Sequence, residues 1–237
     1  EIRSFDRLGN RLDSVKVEHA PAIEDLKFDK EGNLYLAGKM RWPTTIGGSI
    51  VAPVGNEDFY ITKYGSDGVL KWLVHAGTTG ECTTTAVEVD EQGNMYFSAS
   101  LGLGSDAGDT LRFGDSTYLT TRKNDMLIGA IDSAGNIKWS KHIYRSVGGY
   151  SNAMRINDIA AVDKGLFMAG SFMDGSTIIG DTTIRTRDFD PVVLKFGSEG
   201  DFHWVARAGT DNGDEGLRIA PIDTKKIFVA GVLNDLK

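Results

Sequence analysis

At 237 residues with 41% hydrophobic content the chain is long enough for one all-β domain with a real core, and 29 Gly against 5 Pro suits many short strands and turns rather than disorder. A formal charge of −7 argues against a nucleic-acid partner, because phosphate recognition needs Lys and Arg gathered on one face and the chain has no basic run. No stretch approaches the roughly 20 apolar residues of a membrane span, residues 1–10 do not read as a signal peptide, and a single cysteine, Cys82, excludes an intrachain disulfide or a cysteine-based zinc cluster.

The chain opens on Ile2-Arg-Ser-Phe-Asp-Arg-Leu-Gly9-Asn-Arg-Leu, two short runs turning at Gly9. A hairpin follows as Leu26-Lys-Phe-Asp29-Lys-Glu-Gly32-Asn-Leu-Tyr-Leu-Ala-Gly38, and a second as Asp58-Phe-Tyr-Ile-Thr-Lys-Tyr-Gly-Ser-Asp-Gly68-Val-Leu-Lys-Trp72. Both return: residues 85–90 turn at Gly93 into 95–99, and 126–131 turn at Gly135 into 137–143. They return again over 159–170 and 190–204, and the first returns once more over 219–231. Trp72 lies 67 residues before Trp139, which lies 65 before Trp204. In the turns Gly supplies the positive φ that hairpin loops require, with Asp and Asn bracing the backbone.

Four strands recurring at a fixed period of about 65 residues, with no helical periodicity, predict an all-β fold of the β-propeller type, built of repeated four-stranded antiparallel blades with strands a to d. Burial of both sheet faces accounts for runs such as Tyr35-Leu-Ala-Gly38 and Ile227-Phe-Val-Ala-Gly231, which do not alternate. The small residue closing strand b, Gly38, Ala99, Gly170 or Gly231, predicts a close backbone approach. The expected organisation is one domain over 1–237: a half blade over 1–21, blades over about 22–82, 83–148 and 149–210, and a half blade over 211–237.

These residues resemble the secreted bacterial β-propeller repeat of the SBBP type, whose consensus is similar to "DaFvtkld..G...W" followed by "Iavd..GNvYvtG". The resemblance covers essentially the whole chain. It departs at Asp13, where Trp is expected, and in the third and fourth copies, which lose the Gly-Asn turn. It implies the propeller architecture and an extracellular or cell-surface bacterial setting, and says little about activity, because function sits on sites grafted onto folds.

The chain starts inside strand c, ends after strand b and lacks an initiator Met. One expectation is a four-bladed ring, in which the strand from Ile2 lies between strand d near residues 12–17 and the strand over 227–232. The other, which we adopt, is a segment of a larger propeller.

Long b–c connections (39–57, 100–124, 171–189) and d–a connections (76–84, 144–157, 208–217) emerge on one face and differ between copies. Their exposed aromatic and charged residues are the candidate binding set: Arg41, Trp42, Tyr144, Arg145, Tyr150, Asp211, Asp214 and Glu215. Trp42 fits equally well as a plug between loops. His75 and His142 share one repeat position with Lys16 and Arg207; different blades carry the histidines apart, so the expectation is a solvated basic position and no metal site. Asp58, Asp125 and Asp190 predict either an acidic ring or carboxylates bound to local backbone donors. The stretch Asp211-Asn-Gly-Asp-Glu-Gly216 lacks the closing Glu of a calcium loop, Ile222 standing there instead, and reads as a solvated turn. With no nucleophile elbow, phosphate loop or dinucleotide fingerprint, no cofactor is expected. The leading function is a non-catalytic module presenting variable loops to a protein or glycan partner. The alternatives are a carbohydrate-active lyase or glycoside hydrolase with carboxylates near the central channel, and a passive spacer of a larger surface protein.

Overall fold

The computed structural model describes residues 2–15, 21–103, 109–120, 125–147, 154–163, 165–173, 175–186, 190–207, 215–222 and 226–232. These residues form strands and no helix, so no helix among them is long and apolar enough to cross a membrane. β1 (Ile2–Phe5) and β2 (Arg11–Val15) make a two-stranded sheet of their own. β3 (Ala22–Phe28) and β4 (Leu34–Met40) precede a small hairpin, β5 (Thr44–Ile46) and β6 (Ser49–Val51). β7 (Asp58–Tyr64) and β8 (Leu70–Ala76) then complete a four-stranded antiparallel sheet in the order β3-β4-β7-β8.

The pattern repeats with β9 (Glu81–Val89), β10 (Met95–Leu103), the hairpin β11 (Thr110–Phe113) and β12 (Ser116–Leu119), β13 (Asp125–Ile131) and β14 (Ile137–Val147). It repeats again with β15 (Met154–Val162), β16 (Gly165–Phe172), the hairpin β17 (Gly175–Ile179) and β18 (Thr182–Thr186), β19 (Asp190–Gly197) and β20 (Phe202–Arg207). β21 (Glu215–Pro221) and β22 (Ile227–Val232) end the described chain as a two-stranded sheet.

Two expectations are corrected here. Each segment expected to be an open b–c loop contains a hairpin, turning at Gly47-Gly48, Gly114-Asp115 or Gly180-Asp181, and Gly47, Gly114 and Gly180 all have φ of 55–58°. The units are also not uniformly four-stranded. β17 pairs along the far end of β14, Ile143 opposite Ile179 and Tyr144 opposite Ile178, which makes the second sheet six-stranded. β1–β2 and β21–β22 belong to separate sheets, so the ladder expected of a closed four-unit ring is not formed; residues 16 and 17 of that expectation lie outside the described residues.

The small residue of each second strand now has a cause. Every first strand skips one residue at the same place: Glu24, Thr85, Asn157 and Leu217 have no partner in the ladder. Such a β-bulge pushes the strand toward its neighbour. A Cβ on Gly38 would lie 1.9 Å from the Ala22 carbonyl oxygen, and one on Gly170 would lie 2.0 Å from that of Arg155. The residue after the bulge then reaches the next unit: Asp25 Oδ2 accepts from the Val87 amide at 3.2 Å, and Asp158 Oδ2 from the Ile219 amide at 2.9 Å.

Successive sheets pack face to face. Tyr35, Phe59, Phe97 and Phe113 fill the first interface, and Tyr96, Ile128, Ile156, Phe172 and Phe196 the second, which is why these strands are apolar on both faces. At the rim of each interface an indole meets the turn of the next sheet. Trp72 Nε1 donates to the Ser133 carbonyl at 3.2 Å, and Trp139 Nε1 to the Ser198 carbonyl at 2.8 Å. The turn glycine two residues on lies flat against the ring: a Cβ on Gly135 would stand 2.8 Å from Trp72 Cγ, and one on Gly200 2.5 Å from Trp139 Cδ2.

Gly68 tests this lock, because it has a φ of 75° against 94° for Gly135 but no atom within 4 Å of its would-be Cβ. Gly68→Ala and Gly135→Ala share the cost of a left-handed alanine, and only the second adds overpacking against an indole, at about 1–3 kcal/mol. Urea unfolding is expected to show Gly135→Ala less stable than Gly68→Ala by that difference; equal losses would remove the lock from the account.

Candidate functional site

The turn between β4 and β5 displays Trp42. Met40 before it and Thr44 and Ile46 after it are buried, so the arch is pinned at both ends. Thr44 Oγ1 donates to the Trp42 carbonyl at 2.8 Å. Arg41 Nη2 donates to Glu57 Oε2 at 3.0 Å and to Glu81 Oε1 at 3.1 Å. Glu57 is buried, and its other oxygen takes Lys39 Nζ at 3.4 Å, while Lys39 also reaches Glu24 Oε1 at 3.5 Å. The backbone carbonyl of Glu57 accepts from the Cys82 amide at 2.7 Å, which ties β7 to the start of β9. Hydrogen bonding to Glu57, with the Glu81 charge behind it, raises the Arg41 pKa above its ordinary value. Cys82 is fully buried, and burial pushes its thiol pKa up, as suits a packing residue.

The arch is therefore rigid while the indole it carries is 73% exposed. Trp42 plugs no gap between loops. Ile50 and Val54, further along the same connection, are exposed as well. Arg41 is the foundation of the arch, committed to two carboxylates.

The other candidates do not converge on this place. Tyr144 and Arg145 were expected on a loop, but they sit half-buried on β14, opposite Ile178 and Thr177, and the Tyr144 ring stacks on His142 with centroids 5.1 Å apart. Tyr150, Asp211 and Asp214 lie outside the described residues, as do Lys16 and His19. Glu215 opens β21, and its side chain also lies outside the description.

The expected solvated basic positions turn out to be paired with aspartates, His142 largely buried and Arg207 still half-exposed. His75 Nδ1 meets Asp58 Oδ2 at 3.2 Å, His142 Nε2 meets Asp125 Oδ2 at 3.0 Å, and Arg207 Nη1 meets Asp190 Oδ2 at 3.3 Å. All three carboxylates are buried, where a charge needs a partner. Asp58 also accepts from the amides of Val54 and Gly55, as expected of an aspartate entering a strand. Each pair is separated by 17 residues in sequence, a constant spacing that marked the partnership. His203 likewise meets Asp201. Among the described residues no three His, Cys, Asp or Glu side chains are grouped to hold a metal ion.

A cavity of about 660 Å³ opens at the turn end of the second interface, lined by Asp90, Tyr96, Lys138, Asp163, Ser198 and Ile222 among others. It arises from a shortened turn. The ladder resumes at Val162 opposite Gly165, where the preceding unit resumes at Val89 opposite Met95. In the first interface the Tyr35 hydroxyl reaches the Gly93 carbonyl at 3.1 Å and Lys63 Nζ reaches Ser133 at 3.4 Å. Tyr35 and Tyr96 both bond the aspartate of their own turn, Asp29 and Asp90, but in the second interface Ala130 stands where Lys63 would. The Asp90 carboxylate is already engaged by the amides of Gln92 and Asn94, the Asn94 side chain and Tyr96, and Lys138 pairs with Glu199 at 3.3 Å. Asp90 and Lys138 are thus committed to structural contacts. In comparison with known proteins, the chain matches no family model and no curated sequence.

The turn aspartates set the acid response. Asp6 and Asp132 each take the side chain of an Asn four residues on, and this bond, with backbone amides, holds both carboxyls below the ordinary carboxylate range. Hydrogen bonds from Val69 and Lys71 do the same for Asp67. A depressed folded-state pKa contributes stability above the unfolded value, near 4, and loses it as pH falls through the folded value. The urea midpoint is expected to hold steady from about pH 7 to 5 and to fall below about pH 4. Asp132→Asn should lower it at neutral pH and converge on the unaltered chain in acid; parallel pH curves would contradict this.

Proposed function

We propose that the chain is a non-catalytic scaffold of the β-propeller type that presents Trp42 to a ligand, a glycan in the first instance and otherwise a protein. The observation that carries this reading is an indole 73% exposed on an arch fixed by buried neighbours and a two-carboxylate clamp. An exposed aromatic on a fixed mount offers large contact area at small entropic cost, and the Glu81 and Arg41 side chains beside it remain half-exposed for hydrogen bonds to hydroxyls. The aspartates and histidines that recur between copies are spent on turns and cross-strand pairs, which supports binding over catalysis.

The propeller reading is supported by the face-to-face stacking of successive sheets and by their first strands, where β3 packs on β9, β9 on β15 and β15 on β21, as strands around a common axis would. An extracellular or cell-surface bacterial setting follows from the repeat resemblance. One observation favours the rival reading, a carbohydrate-active enzyme: Glu57 and Glu81 converge on one nitrogen of Arg41. Glu57 is buried against two cations, which suits a strut better than a general acid.

A glycan array and a panel of polysaccharide substrates separate the two. Trp42→Ala should weaken binding by roughly tenfold or more, as losing an aromatic anchor does, with a thermal midpoint within about 2 °C of the unaltered chain, since the side chain is at the surface. Undiminished binding by Trp42→Ala would reject the Trp42 site. Turnover that disappears in Glu81→Gln would establish the enzyme.

A further inference from the structure

The charges that hold the Trp42 arch do not balance. Ion pairs join Glu24, Lys39, Glu57, Arg41 and Glu81 into one network, in which Lys39 bridges Glu24 and Glu57 and Arg41 bridges Glu57 and Glu81. Three carboxylates thus meet two cations, and among the described residues no further cation pairs with any of the three. A fourth carboxylate stands beside them. Asp109 accepts from the Thr79 amide and hydroxyl at 2.6 Å each, and the Thr79 carbonyl accepts from the Asn56 amide at 3.3 Å, next to Glu57. The indole is therefore carried on a surface with an excess of negative charge, in a chain whose formal charge is −7.

The members of the network differ in what they leave for a ligand. Glu57 has a side chain only 6% exposed, and each of its oxygens holds a cation. Arg41 brings the same nitrogen, Nη2, to Glu57 and to Glu81. An anionic ligand would have to compete with both carboxylates for the cation nearest the indole. Glu81 is the exception: its side chain is 44% exposed, and only Oε1 is engaged, by Arg41 at 3.1 Å. An indole face also attracts cations, through the negative pole of its ring quadrupole. Ring and carboxylate favour the same kind of group, an ammonium, and both disfavour a carboxylate or a sulfate.

We propose, building on the reading of Trp42 as a glycan site, that the glycan is one of unsubstituted amino sugars: Trp42 stacks on the C–H face of a pyranose and Glu81 pairs with the ammonium group that ring carries. A basic peptide would bring the same charge, but on a flexible lysine stem that loses rotamer freedom when held. The pyranose presents its apolar face and its ammonium on one rigid frame, which matches a rigid mount.

The test is titration of the full chain with an amino-sugar oligosaccharide, its N-acetylated form, a uronic-acid oligosaccharide and an oligolysine peptide, at mildly acid pH where the sugar amine carries its proton. Acetylation removes the charge and keeps the pyranose face, so the ratio of the first two affinities reads the charge. The amino form is expected to bind about five- to tenfold more tightly than the acetylated one, with the uronic-acid form weakest, and the preference should shrink as salt is added. Glu81→Gln leaves Arg41 its bond to Glu57 and should bring the ratio close to one, whereas Trp42→Ala should weaken both sugars. Trp42-dependent binding that is equal for the two forms, or that prefers the uronic acid, would overturn the amino-sugar assignment while leaving the Trp42 site in place. A preference that survives Glu81→Gln would overturn Glu81 as the partner of the ammonium. Tighter Trp42-dependent binding of the peptide would overturn the glycan in favour of a basic peptide. Binding indifferent to Trp42→Ala would reject the site itself, so the two readings fail separately.

Discussion

A glycine turn pressed on an indole face joins the sheet of β3-β4-β7-β8 to that of β9 and β10, and the latter to the sheet of β15-β16-β19-β20, and most other features of the repeat serve that contact. The indole nitrogen needs a carbonyl at the right height, which the turn supplies at Ser133 and Ser198. The turn must approach without a Cβ, hence Gly135 and Gly200 at positive φ. Where it has the Asp-x-x-Gly-Asn form, its shape is held by one carboxylate that takes two backbone amides and the Asn side chain at once, as at Asp132. An apolar interface alone would let two sheets slide; a directional bond at the rim fixes their register. The bulges add a second such bond in two of the units, through Asp25 and Asp158. Between Asp25 and Asp158 the equivalent residue is Ala86, so the second interface lacks this tie and relies on its larger apolar cluster and on β17 crossing to β14.

Much of this was legible in the sequence. Turn glycines, alternating runs and the tryptophan spacing locate the main hairpins, and the small residue at Gly38 and Gly170 signals a close approach that the bulge then explains. Two repeated signals were passed over. The turns at Gly47-Gly48-Ser49, Gly114-Asp115-Ser116 and Gly180-Asp181-Thr182 are as regular as the others, but they sit in segments whose flanking sequences diverge. The constant separation of Asp58, Asp125 and Asp190 from His75, His142 and Arg207 was visible too. Reading the aspartates and the basic residues separately hid that they meet diagonally across adjacent strands, each basic residue lying opposite the position two beyond the aspartate. The joining of β17 to β14 is of another kind: pairing across units depends on where a long connection is thrown, which no local pattern encodes.

Repetition also tells where function does not lie. A residue present in every copy answers a need of every copy, and here those needs are turns, bulges and buried ion pairs. What one copy has alone is free to do something else. Arg41-Trp42-Pro43 has no counterpart in the other connections, and the cavity near Asp90 lies where one turn is shorter than its counterparts and Ala130 stands in place of Lys63. Both are departures from the repeat, but they differ in what they leave available. At the cavity Asp90 and Lys138 are held by their neighbours, whereas the arch spends its charges on holding still and leaves an indole in water. Exposing so large an apolar surface carries a cost that folding does not repay. A rigid mount for it makes physical sense when a partner covers the ring, because the entropy of fixing the side chain's base has then been met before the partner arrives.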